Sequence, residues 1–76
     1  MEELLNLFNK YINEEYGIED VSRILSYISI PELTDYELEN AEYQIERIRF
    51  LSSDTEQKKR VQEILLELIE KGKMKI

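Results

Sequence analysis

At 76 residues the chain is about half the usual single-domain length, so one domain with no room for a second is expected. Hydrophobic residues make up 42% and charged residues 36%, a balance that suits a small folded domain rather than a disordered chain. Seventeen acids against ten bases leave a net charge of −7, which argues against a simple nucleic-acid binder, and the lack of Cys and His excludes zinc fingers, thiol chemistry, disulfide scaffolds and nearly every Ser-His or Cys-His mechanism.

The first predicted helix covers 2–16. Leu4, Phe8, Tyr11 and Ile12 recur at helical spacing, Leu5 and Leu7 flank them, and Gly17 is the expected C-terminal stop. The second covers 19–29, with Val21, Ile24, Leu25 and Ile28 as a narrow stripe and Glu19 and Asp20 at the positive end of the helix dipole. Pro31 disfavours helical geometry at Ile30 and ends it.

The third, 34–51, is the best marked. Thr34-Asp35-Tyr36-Glu37 is a capping box, in which hydroxyl and carboxylate each accept a backbone N–H from the other's residue. Leu38, Ala41, Ile45 and Ile48 follow as a coiled-coil-like seam. The fourth covers 54–71, capped by Ser53 or Asp54 with Glu56 or Gln57 as the reciprocal partner. Its buried face is Val61, Ile64, Leu65, Leu68 and Ile69, Gly72 is its expected C-cap, and residues 74–76 form a tail. Apolar residues alternate only briefly, from Tyr27 to Ile30, so no strand competes. Short connections imply antiparallel neighbours, hence an all-α compact bundle of three or four short antiparallel helices.

Charge divides unevenly. Residues 1–46 hold twelve acids and two bases, whereas 47–76 hold five acids and eight bases. The densest acidic run is Glu32, Asp35, Glu37, Glu39, Glu42 and Glu46; the bases cluster at Lys58, Lys59 and Arg60 and again at Lys71, Lys73 and Lys75. Such runs ordinarily serve solubility. The sharper reading is that the acidic side of helix three docks on a basic partner, since asymmetric fields steer association.

Helix three has two apolar faces. At about 100° per residue, Tyr36, Tyr43 and Phe50 lie nearly opposite the Leu38–Ile48 seam. Either the helix is central and packed on both sides, which is the default for an aromatic stripe, or the stripe meets another chain. Tyr suits the second role through its apolar body and polar tip, and Glu39, Glu46 and Arg47 supply a charged rim.

Catalytic chemistry is sparse. Glu42/Glu46 and Glu63/Glu67 are one turn apart, a spacing that chance supplies in a chain with fourteen Glu. The di-metal bundle pattern needs His, residues 54–56 lack a calcium-loop pattern, and two glycines do not make a phosphate loop. A helix-turn-helix would aim Asp35, Glu37 and Glu39 at DNA phosphates, which is electrostatically wrong. No stretch approaches the roughly 18 apolar residues of a membrane span, and the acidic start is unlike a secretory signal, so a cytoplasmic location is expected.

These features point to a non-enzymatic acidic binding protein, without cofactor or metal. It would act as an inhibitor that occludes a basic surface on a nucleic-acid-acting protein, of toxin-immunity or virus-encoded anti-defence type. Its expected contact residues are Tyr36, Glu39, Glu42, Tyr43 and Glu46. The alternatives are a self-association module, most simply a homodimer, and a small regulator touching nucleic acid through Lys58, Lys59 and Arg60.

Overall fold

A computed structural model describes residues 1–74. Lys75 and Ile76, assigned above to the basic cluster and the tail, lie outside the described residues. The fold is an all-α bundle: α1 (Glu2–Ile12), α2 (Ile18–Tyr27), α3 (Asp35–Leu51) and α4 (Asp54–Met74). Both α2 and α4 pack on α3, while α1 packs on α4 and more lightly on α2. The bundle measures 35 × 23 × 20 Å.

The core draws on every element. Leu4, Leu7 and Tyr11 come from α1, Val21 and Leu25 from α2, Leu38, Ala41, Ile45 and Ile48 from α3, and Val61, Ile64, Leu65, Leu68 and Ile69 from α4. Leu7, which periodicity placed at the flank, is core, whereas Ile12 is 37% exposed. Ile30 and Leu33 are also buried although they belong to no helix. The turn at Pro31, closed by the Leu33 N–H donating to the Ile30 carbonyl at 3.0 Å, folds both side chains inward. Burying an aliphatic side chain is worth about 1.5–3 kcal/mol, against at most about 1 kcal/mol for an exposed ion pair. The apolar seams therefore hold the bundle, and the surface ion pairs trim it.

Three helix boundaries depart from the expected ones by two residues or more. First, α1 stops at Ile12, a turn early. The Glu14 N–H donates to the Tyr11 carbonyl and the Glu15 N–H to the Lys10 carbonyl, a Schellman closure whose left-handed residue is Glu14, at φ 64°. Gly17, expected there, has φ −88° and ψ 177° and instead caps α2. Its N–H donates to Asp20 at 3.0 Å, the half of a capping box that a residue without a side chain can share.

Second, α2 ends at Tyr27 because Ile28 is already extended. Third, α4 continues through Gly72 to Met74. Gly72 is no C-cap. It is buried against Met1, whose sulfur would stand 2.6 Å from an added Cβ, so its smallness brings the chain start against α4. The Met1 ammonium there lies 3.5 Å from Glu32.

The α3 cap forms as read: Glu37 N–H donates to Thr34 Oγ1 at 3.1 Å, and Thr34 N–H donates to Glu37 Oε1 at 2.9 Å. Gln57, proposed as a reciprocal cap for α4, does something else. Its amide donates to the carbonyls of Arg49 at 3.0 Å and Ser52 at 3.2 Å, satisfying acceptors that the end of α3 leaves open.

Candidate interaction surface on α3

Ile45 is fully buried, whereas the opposite side of α3, which carries the aromatic stripe, faces solvent. Tyr36 is 75% exposed, Tyr43 62% and Phe50 74%. The expectation that the stripe is packed between helices is thus overturned: α2 and α4 pack on α3 and, among the described residues, nothing covers the aromatic stripe. The stripe is padded by cations. The Arg47 guanidinium lies 6.0 Å from the Tyr43 ring centre and that of Arg49 lies 5.3 Å from Phe50. Each contact is worth about 0.5–1 kcal/mol at an exposed site, enough to orient a ring without burying it.

The carboxylates named from sequence divide into two kinds. Glu39 is exposed and Glu42 half-buried, and neither forms an ion pair among the described residues. Glu46, by contrast, serves the α2–α3 seam. It accepts a hydrogen bond from the buried Ser22 hydroxyl and lies 3.7 Å from Arg49, which in turn reaches Glu19 on α2 at 3.1 Å. Its first duty is structural, so the exposed rim reduces to Glu39 and Glu42 on one edge and Arg47 on the other. Arg47 is exposed and likewise has no carboxylate partner among the described residues.

Leu66, 46% exposed in mid-α4, and two residues at helix ends escaped the sequence reading as exposed apolar positions. Leu51, 74% exposed, extends the α3 surface past Phe50, and Tyr27, 69% exposed, ends α2. Both fall at helix termini, where periodicity carries the least information.

The basic cluster is largely occupied. Lys58 reaches Glu14 at 3.0 Å and Arg60 lies 3.6 Å from Glu56, which leaves Lys59 without an ion pair among these three. The open groove between α3 and α4 beside them mixes Glu56, Glu63 and Glu67 with Lys59 and Arg60, unlike the single-sign track a nucleic-acid backbone favours. Among the described residues no three carboxylates converge as a metal ion requires, and no helix is long and apolar enough to cross a membrane. No family model matches the chain, and no curated protein or solved structure matches it. The functional reading therefore stands on the geometry of α3.

Proposed function

We propose that this chain is a non-enzymatic binding protein, an inhibitor by occlusion, whose working surface is the outer face of α3 and whose target presents a basic surface. The observation that carries the reading is the exposure of Tyr36 and Tyr43 on a helix whose other side supplies four core residues. Folding has no use for two solvated tyrosines and a phenylalanine in line. A binding face does, because aromatic anchors supply affinity once desolvated. Glu39 and Glu42 are the carboxylates left to meet Lys or Arg, steering encounter while the rings set the dissociation rate. The net charge of −7 adds a field that favours a basic target.

The test places a photo-crosslinking residue at position 43 and, as control, at Asn6, exposed on α1. The reading expects one protein joined through position 43 and none through position 6. That protein, once purified, should bind the parent chain and bind Glu39→Lys/Glu42→Lys more slowly, with inverted salt dependence. Equal labelling from both positions, or a purified target indifferent to the charge reversal, refutes it.

A further inference from the structure

The four arginines of the chain divide by what they hold. Arg23 donates to Asp20 at 3.0 Å and Arg49 donates to Glu19 at 3.1 Å. Arg47 and Arg60 donate no hydrogen bond among the described residues. Arg47 has no ion pair there either. Arg60 has only Glu56, one turn away at 3.6 Å with both side chains more than half exposed, a pairing that contributes little.

These two arginines line one pocket. It opens between the end of α3 and α4, holds about 250 Å³, and is lined by Gln44, Arg47, Ile48, Leu51, Ser52 and Arg60. No carboxylate is among them, in a chain with seventeen acids. The Gln44 amide and the Ser52 hydroxyl also donate no hydrogen bond among the described residues. A guanidinium presents its donors in a planar fork that fits an oxyanion. Two such forks, an amide and a hydroxyl therefore border one pocket with no protein acceptor.

We infer that this pocket binds the phosphate group of a small phosphate monoester. Two guanidiniums match the charge of about −1.5 to −2 that a monoester carries at neutral pH, where a carboxylate or a phosphodiester offers one. Ile48 and the 74% exposed Leu51 give the organic half an apolar wall. The volume lies just under the roughly 300–1,000 Å³ of drug-sized ligand sites, which suits a small molecule. The adjoining groove argues against a polymer, because it carries Glu56, Glu63 and Glu67, which would repel a run of phosphates. The site goes beyond the reading of α3 as a binding face and shares only Arg47 with its rim. Its test needs no protein target, so it can fail while that reading stands.

The test is nuclear magnetic resonance of the nitrogen-15-labelled full chain, following the Nε–H signals of its arginines at constant ionic strength. Phenyl phosphate, inorganic phosphate and benzoate are titrated in turn. With phenyl phosphate, Arg47 and Arg60 should move along one saturating curve while Arg23 and Arg49 stay in place. Two solvent-open fork contacts put the affinity on the order of millimolar. Inorganic phosphate lacks the apolar half and benzoate lacks the second charge, so each should bind about threefold weaker or more. R47Q and R60Q should each weaken phenyl phosphate by about tenfold or more, since each removes a charge-assisted fork. K71Q removes the same charge about three turns along α4 and should change the affinity by less than about twofold. Arg47 and Arg60 are exposed, so their variants should keep the parent's helical spectrum.

Shifts that grow without a plateau, or that spread equally to Arg23 and Arg49, would mean ionic screening and overturn the inference. So would benzoate or inorganic phosphate binding as tightly as phenyl phosphate. An R47Q or R60Q variant that binds like the parent, or a K71Q loss as large as theirs, overturns it too.

Discussion

Tyr43 and Ile45 are two residues apart on α3 and face opposite ways, one 62% exposed and the other fully buried. Replacing each by Ala should have opposite consequences for the fold. Ile45→Ala removes atoms from a close-packed site between helices and should cost about 2–5 kcal/mol. A single core of this size supplies about 3–5 kcal/mol in all, so Ile45→Val is the measurable surrogate, at about 1 kcal/mol or 4–8 °C in Tm. Tyr43→Ala loses its stacking on Arg47 but gains helix propensity, two terms of about 0.5–1 kcal/mol that nearly cancel. Its stability should match the parent within about 0.5 kcal/mol.

The assay is urea unfolding followed by far-UV circular dichroism, run on dilute protein. A Tyr43→Ala cost above about 1.5 kcal/mol in dilute protein, approaching that of a core truncation, would mean the ring is packed. The exposed stripe would then be wrong.

The remaining predictions probe features that only the structure reveals. Glu14 occupies the left-handed region, which costs a residue with a Cβ about 1–2 kcal/mol; Glu14→Gly should raise the urea midpoint despite losing the exposed pair with Lys58, and Glu14→Ala should not. Glu46→Ala leaves the buried Ser22 hydroxyl without its acceptor and should cost about 1–3 kcal/mol. Glu39→Ala should cost under about 0.5 kcal/mol; equal losses in denaturant unfolding would show that the two carboxylates are equivalent after all. Burial raises the Tyr11 hydroxyl above its ordinary 10.0. The unfolded chain therefore ionises first, and stability should be full below pH 10 and decline as pH rises through the folded-state value. In parallel melts Tyr11→Phe should decline less over that alkaline window, and identical slopes would discount the burial effect.

Local chemistry was readable and long-range partnership was not. The Thr34–Glu37 box lies within four residues, so α3 begins where the pattern puts it. The α4 face from Val61 to Ile69 repeats often enough to fix its phase. Gly17 misled because the left-handed residue that ends α1 is a glutamate, a conformation no side chain advertises. Gly72 looked like a terminus but is a contact point for Met1, seventy-one positions away. Ile30 and Leu33 follow no helical period, so only the turn at Pro31 shows them to be core. On α3, periodicity established that Tyr36, Tyr43 and Phe50 share a face. It is silent on what lies opposite, which depends on where α2 and α4 sit. For the same reason Glu39 and Glu46 looked alike until Ser22 and Arg49 were seen beside one of them.

The central claim is that α3 is where this molecule is covered by another. Tyrosine nitration mapped by mass spectrometry tests it most directly, because Tyr27, Tyr36 and Tyr43 are all exposed while Tyr11 is buried. The reaction is run on dilute purified protein and on the chain in an extract of its source cell. In dilute protein Tyr27, Tyr36 and Tyr43 should react together and Tyr11 should lag. In extract Tyr36 and Tyr43 should become shielded while Tyr27 stays reactive. Equal reactivity of these three under every condition, or shielding of Tyr27 instead, would contradict the claim.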